Sequence, residues 1–478
     1  MKGVVALKML VAGKWIDRPK KIEVRFPYDG SVVDSVPIAE EEDIETAISN
    51  ALEGAKIMKK TPAWQRAEIL LNTASLILKN KERIAQTLVL EVGKTIREAT
   101  AEVERTAEIF KLASEEAKRI HGETLPFDSV KGSEKKRGYF VREPVGVVLA
   151  IVPFNVPLAL CAHKVAPAIA AGNSIIVKPT SQTPLNALIL GELLLEAGMP
   201  PQAISVLTGP GGSVGMRLVR DERIRLVSFT GSVEVGKQIA QNAGLKKLSL
   251  ELGSNTPLIV CDGVDIDRAV HATIAGGFSI AGQVCISVQR VFVHKNIYRD
   301  FVDRLVERVE KIKVGDPRKE ETQMGPVIDE QNAERIVDWF EEARDKGAKV
   351  ATGGTREYTL VQPTVLLEVP TSTKIMTEEL FGPGVAVNSF ESLDEAINLA
   401  NSTRYGLQAG IFTNNIFEAM KAIEELQFGG VIVNDGPRYR ADFMPYGGYK
   451  ESGIGREGVR FAIEEMTEMK TVVIEIRE

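Results

Sequence analysis

Long hydrophobic runs are missing from this sequence. Its most apolar window, Val145 to Val152, stops at Pro153, well short of the roughly eighteen uninterrupted apolar residues that a membrane-spanning helix needs. The opening stretch MKGVVALKMLVAGKW is only briefly apolar, carries Lys8 and shows no small-residue cleavage pattern, so it reads as the start of a mature cytoplasmic protein. An excess of positive charge is missing as well. With 59 Lys and Arg against 65 Asp and Glu the net charge is −6, which leaves no general positive field to hold a nucleic-acid backbone. Cysteine and histidine are scarce. The three cysteines, Cys161, Cys261 and Cys285, have no paired spacing for a zinc site or a disulfide framework, and a reducing compartment fits. The four histidines, at 121, 163, 271 and 294, are too scattered to suggest a metal cluster or a Ser/His/Asp hydrolase. No repeat of 20 to 50 residues and no low-complexity tract is visible, which sets solenoids aside.

What is present is an ordinary globular composition, 44% hydrophobic and 26% charged, in a chain of 478 residues, long enough for two or three domains. Residues 41–119 read as helices: Ile44, Ala47, Ile48, Ala51, Leu52 and Ala55 keep the three-four spacing of one apolar face, and Trp64 to Leu78 repeats it. From 145 the pattern changes to short apolar runs, VGVVLAIV, SIIVKP, ISVL, RLVSFTG and KLSLEL. Helical stretches at 157–171, 184–197, 213–220 and 233–242 separate them, which predicts a doubly wound parallel sheet. A second α/β series starts at PLIVCD, with helices around 265–281, 298–312 and 329–346 and strands near 288–293, 363–367, 409–413 and 430–434. Residues 122–144 and the final TVVIEI run are strand-like but have no partner in either series. Such orphans often pair between subunits.

Several segments carry candidate chemistry. In FTGSVEVG (229–236) a strand ends at Gly231 and Ser232, and a helix starting there offers free N–H groups to a phosphate, although an ordinary turn capped by Ser232 explains the segment alone. In IVKPTSQTP (176–184) Lys178 closes a strand at the sheet edge where nucleotides bind; a solvated lysine before a turn is the alternative. PFNVP (153–157) holds Asn155 between two prolines. Its stiff amide suits an oxyanion, and it suits equally a bond to its own turn. Cys285 follows a glycine in FSIAGQVCIS, at a helix-to-strand junction, whereas Cys161 and Cys261 sit in apolar surroundings and read as inert core. Glu251 in LELGSNTP (250–257) stands among apolar and small residues, where partial desolvation raises a carboxyl towards the pKa of a general base; a paired structural carboxylate is the alternative. EELFGP (378–383) and the glycine-dense PYGGYKESGIGREG (445–458) say little alone beyond turns and close backbone approach.

Together, in order and spacing, these seven segments resemble those of the aldehyde dehydrogenase superfamily over nearly the whole chain. The resemblance implies an α/β fold in three parts. A Rossmann-like dinucleotide domain takes residues 1–121 and 145–252, a catalytic α/β domain takes 253–449, and a small strand-built oligomerisation element takes 122–144 and 450–478. It implies Cys285 as nucleophile, Glu251 as the base that activates water, and Asn155 with the Cys285 backbone N–H as the oxyanion site. Phe154, Lys178, Ser181, Gly231, Ser232, Val235, Leu252, Glu379 and Phe381 would contact the cofactor, NADP or NAD, and no metal is implied. Relatives that transfer the acyl group to coenzyme A typically lack the glutamate found here at 251, so its presence favours hydrolysis.

Where NAD-preferring members carry a glutamate three residues after the lysine, this chain has Ser181, which tolerates a 2′-phosphate and points to NADP. The stretch VNDGPRYRADFMPYGG is similar to the branch containing lactaldehyde and non-phosphorylating glyceraldehyde-3-phosphate dehydrogenases. Arg105, Arg438 and Arg440 are candidates for holding an anionic or hydroxylated tail. Val156 and Val284 stand where the glyceraldehyde-3-phosphate enzymes place Tyr and Arg, so a small, uncharged or weakly charged aldehyde such as lactaldehyde or glyceraldehyde is the leading expectation. Gly384, after EELFGP, replaces the family's usual aliphatic residue and is expected to loosen that loop. A homodimer or homotetramer without nucleic-acid or membrane partners is implied. The rival readings are a non-phosphorylating glyceraldehyde-3-phosphate or succinate-semialdehyde type of dehydrogenase, a coenzyme-A-acylating relative, and a non-catalytic protein on the same fold.

Overall fold

Apolar runs without alternation belong in parallel strands covered on both faces, and the computed structural model, which describes residues 8–476, puts them there. The stretch 1–7, part of the opening read above, lies outside the described residues. An eight-stranded sheet runs, from edge to edge, Lys14–Ile16, Met9–Val11, Ile204–Val206, Ser174–Pro179, Val147–Val152, Leu226–Thr230, Lys247–Glu251 and Gly453–Ile454. Its five central strands are parallel. Strand order reverses between Val147–Val152 and Leu226–Thr230, so the loops that open a crevice at the carboxyl edge are those starting at Pro153 and Gly231.

The helices over this sheet are positioned by buried carboxylates. Helix Pro157–Ala171 begins after Val156 and helix Leu185–Glu196 after Pro184, neither of which supplies a side-chain cap. Glu102 accepts the Leu158 and Ala159 N–H groups at 2.9 and 3.1 Å, and Glu91 accepts those of Leu185 and Asn186 at 2.8 and 3.1 Å. An anion at a helix N-terminus meets free donors and the positive end of the dipole. Both glutamates come from the preceding helices, Lys81–Val92 and Ile96–Ala117, so the helical region is fastened to the entrance of the sheet's helices.

A second, seven-stranded sheet runs Lys349–Thr352, Thr364–Leu367, Gly384–Phe390, Val288–His294, Thr256–Val260, Gln408–Phe412 and Gly430–Val433, parallel except at its first strand. Its strand Gly384–Phe390 is not anticipated by the sequence, because it starts directly on the turn-like FGPG. Gly384 itself does not leave a gap. A methyl group there would come within 2.5 Å of the Phe340 ring and 2.9 Å of Leu380. The buried Phe340 ring takes the space of the usual aliphatic side chain, so the expected loosening gives way to a filled contact.

The orphan strands meet each other. Thr467–Glu475 pairs antiparallel with Lys136–Pro144, which pairs with Glu123–Leu125, and the outer strand exposes Met469, Val473 and Ile474. Only 467–475 of the expected 450–478 span joins this sheet. Gly453–Ile454 instead extends the first sheet beside Leu250 and Glu251, and helix Val459–Glu465 packs on Pro157–Ala171. Gly453 permits the close approach, since a side chain there would meet the Leu250 carbonyl oxygen at 2.4 Å. Residues 477 and 478 lie outside the described residues. Among the described residues, no helix is long and apolar enough to cross a membrane.

Candidate active site

Between the two sheets lies a cavity of about 690 Å³. Asn155, Glu251 and Cys285 line it, and so do Phe154, Lys178, Ser181, Gly231, Ser232, Val235, Leu252, Glu379 and Phe381. The first sheet's carboxyl edge supplies most of them; Cys285, Glu379 and Phe381 come from the second half of the chain.

Cys285 follows a strained turn. Ile280, Ala281 and Gly282 are left-handed in succession, at φ of 53°, 51° and 69°, a conformation that costs a side-chain-bearing residue on the order of 1–2 kcal/mol. Three groups hold the turn. Glu98 accepts the Ile280 N–H at 2.7 Å, the buried Gln283 side chain donates to the Ile280 carbonyl at 3.1 Å, and its oxygen accepts the Ile328 N–H at 2.9 Å. Gly282 passes so close to Gly382 that a side chain would meet its carbonyl oxygen at 2.0 Å. Asn155, buried, donates through Nδ2 to the Gln283 carbonyl at 2.8 Å. A primary amide has two such hydrogens, so one anchors the group and the other stays available. Among the described residues the Cys285 backbone N–H also has no hydrogen-bond partner.

Burial sets the charges. It pushes the Cys285 thiol up to about 11; Tyr446, whose hydroxyl is 3.0 Å from Sγ, and Arg440 pull it down, while Glu379 and Glu251 push it further up. Glu251 is buried with neither oxygen hydrogen-bonded among the described residues, and burial, then the neighbouring Glu457, raise its pKa well above the ordinary carboxylate value. Glu457 is buried too, but Lys164 at 2.7 Å and Arg440 at 3.0 Å overcome the burial and keep it ionised. Of this adjacent pair, Glu457 is the more readily ionised and Glu251 the more readily protonated.

The other half of the cavity fits a dinucleotide. Gly231 admits no side chain, which would come within 2.4 Å of the Phe229 ring, and Ser232 caps the helix Val233–Asn242 by accepting the Val235 N–H at 3.3 Å. Lys178 is buried and, among the described residues, has only the Pro179 carbonyl to donate to, at 2.5 Å, and burial lowers its pKa to about 8, the state of an ammonium lacking an anion. Glu379, raised by burial to about 7, accepts the Ser254 N–H at 2.9 Å. Phe381 is left-handed at φ 48° and meets the Phe154 ring edge-on at 5.7 Å. Ser181 donates to the Gly209 carbonyl at 3.1 Å.

The three arginines expected at a substrate tail do not line this cavity. Arg105 forks onto Asp442 at 2.6 Å, beside His163, and Arg438 is exposed with no ion pair among the described residues. Arg440 differs most from the expectation, for it is turned inward, paired to Glu457 and stacked 3.7 Å over the Tyr446 ring. Tyr446, Glu457 and Lys164 were not singled out by sequence reasoning. Lys164 had a signal, since a lone lysine in the apolar helix PLALCAHKVAPAIAA calls for a buried partner.

Two sheets meeting at one cavity, whose lining includes a cysteine, an asparagine amide and a buried glutamate, are those of an oxidoreductase acting on aldehydes with a nicotinamide dinucleotide. The chain belongs to the aldehyde dehydrogenase family, whose model matches residues 15–472. It is 45% identical over 468 residues to a 3-sulfolactaldehyde dehydrogenase of Priestia aryabhattai, covering 98% of each chain. Among solved structures it is similar to aldehyde dehydrogenase 21 from Physcomitrella patens in complex with the reaction product succinate. That match has a TM-score of 0.96 and 41% identity, covering 98% of each chain. A glyceraldehyde-3-phosphate dehydrogenase from Methanocaldococcus jannaschii complexed with NADP matches at a TM-score of 0.93 and 40% identity, covering 96% of this chain and 100% of that one.

Proposed function

We propose that this protein oxidises a small aldehyde to its carboxylate through a thioester on Cys285, with water as the acyl acceptor. The observation that carries this reading is the convergence of Cys285, Asn155 and Glu251 on a cavity whose other half fits a dinucleotide. The Cys285 thiolate adds to the carbonyl carbon, and the second Asn155 hydrogen and the Cys285 N–H receive the oxyanion. When bound, the oxidised nicotinamide supplies the hydride acceptor that turns the adduct into a thioester. Glu251, once deprotonated, takes a proton from water and directs the oxygen onto the thioester carbon.

Residues 178–182 present no carboxylate, so nothing at Ser181 repels a 2′-phosphate, and NADP is the proposed cofactor with NAD as the lesser one. A small hydroxyaldehyde such as lactaldehyde or glyceraldehyde is the proposed substrate. Val284 packs in the apolar cluster around the nucleophile, and the charges of Arg105 and Arg440 are already matched by Asp442 and Glu457. Arg438, exposed and unpaired among the described residues, favours a second reading in which an anionic tail is held at the entrance. The sulfolactaldehyde, succinate and glyceraldehyde-3-phosphate in the relatives' names accord with that chemistry. The edge strand Thr467–Glu475, with its exposed apolar residues, suits a homodimer or homotetramer, and three free cysteines suit a reducing cytoplasm.

Small aldehydes screened with NADP and NAD, with product identified, test this. Free acid from a two- to four-carbon aldehyde is the expected product; acyl-coenzyme A formation would contradict it.

A further inference from the structure

Cys285 faces a buried hydroxyl that the steps above do not use. Tyr446 Oη lies 3.0 Å from Cys285 Sγ, and the flat Arg440 guanidinium covers the Tyr446 ring at 3.7 Å from its centroid. We propose that the Tyr446 hydroxyl, with Arg440 stacked on its ring, donates a hydrogen bond to the Cys285 sulfur as it ionises, offsets part of the cost of burying that charge, and thereby sets the nucleophile's reactivity.

The arrangement is built, not incidental. Tyr446 is 3% exposed, and its backbone exchanges both hydrogen bonds with Glu457, at 3.0 and 2.6 Å. Glu457 in turn fixes Arg440 through Nη2 at 3.0 Å. The same residue thus positions the phenol from behind and the cation above it. A cation on the face of an aromatic ring draws electron density from it, which makes the hydroxyl a stronger donor. The phenol keeps its proton, because burial and the adjacent sulfur raise its pKa well above the ordinary tyrosine value, so the bond runs from Oη–H to sulfur whenever the thiol is ionised. Four groups act on the sulfur: Glu251 and Glu379 oppose its negative charge, and Tyr446 and Arg440 favour it. Arg440 is therefore a positioning residue for the nucleophile rather than a clamp on the substrate tail.

This rests on Cys285 being the nucleophile, and the test separates the two ideas. Iodoacetamide attacks thiolate only, forming a C–S bond as iodide leaves, so its rate against pH reads the ionisation of Cys285. Cys161 and Cys261 are buried, and peptide mass assigns the label. Tyr446→Phe keeps the ring packed against Ile286 and Leu407 and removes one oxygen. The expected result is an alkylation midpoint moved to higher pH and labelling at pH 7.5 slowed about tenfold, with thermal melting and dinucleotide binding unchanged. Arg440→Lys, which keeps a charge for Glu457 but loses the flat stack, is expected to give a smaller shift in the same direction. Coincident pH profiles for Tyr446→Phe and the parent, in enzyme that labelling still inactivates, would overturn the role of Tyr446 and leave the nucleophile standing. Full activity after complete labelling of Cys285 would overturn both.

Discussion

The Asn155 amide donates to the backbone carbonyl of Gln283 at 2.8 Å, which ties the loop after strand Val147–Val152 to the segment that leads into Cys285. Its remaining hydrogen is the one proposed to receive the oxyanion. Removing it through Asn155→Ala is expected to lower kcat by roughly 10²- to 10³-fold. Dinucleotide binding should persist, because the anchored turn is held also by Glu98 and Gln283. Loss of binding equal to the loss of kcat would show a merely structural role.

Cofactor choice is expected to hinge on position 181. Ser181→Glu places a carboxylate where the 2′-phosphate of NADP is proposed to lie. The ratio of kcat/KM for NADP to that for NAD should fall by at least about tenfold, equivalent to about 1.4 kcal/mol, the cost of one like-charge encounter. Steady-state kinetics with both dinucleotides measures it. An unchanged ratio would place the 2′-phosphate elsewhere.

Much of this architecture was readable in the chain. Continuous apolar runs such as SIIVKP form buried parallel strands, and the segments around Asn155, Lys178, Gly231 and Glu251 converge because each ends or follows a strand at one sheet edge, while Cys285 reaches them from the turn before Val288–His294 of the second sheet. What escaped was non-local. The strand Gly384–Phe390 hides behind turn residues, and the glycines of 445–458 gave no hint that Gly453–Ile454 would join the first sheet. The sequence makes Arg440 a candidate for holding a substrate tail, since its partners Glu457 and Tyr446 are brought to it only by that chain path. Spacing cannot predict which charge a buried guanidinium will meet.

Gly384 is expected to be a packing position. Gly384→Val forces a side chain against Phe340 and Leu380 and should destabilise the protein by about 1–3 kcal/mol, read by denaturant or thermal melting. The combination Gly384→Val with Phe340→Leu should recover part of that loss. A stabilised single variant would show that the site is loose after all.

Acid sensitivity is expected from His163. It is buried beside Asp442, 2.8 Å away, and burial, reinforced by Arg440, lowers its pKa to about 4 from an ordinary 6.5. Because the folded pKa is depressed, the unfolded chain binds the extra proton between these values. Stability is therefore fully present above about pH 6.5 and declines as pH falls towards 4. Asp442, where hydrogen bonds from His163 and Arg105 outweigh burial and hold the pKa well below the usual carboxylate range, adds to the loss at still lower pH. Melting temperatures across pH 4 to 7 for the parent and His163→Asn measure this. The variant should show the shallower slope, and equal slopes would remove His163 from the account.

The central claim is that Cys285 carries the acyl group and Glu251 releases it. Glu251→Gln, mixed with aldehyde and NADP and quenched in acid, tests it most directly through intact-protein and peptide mass. The prediction is one equivalent of reduced dinucleotide per subunit and an acyl adduct on Cys285, with Cys285→Ala giving neither. Reduced dinucleotide formed by Cys285→Ala, or an adduct on any other residue, would contradict it.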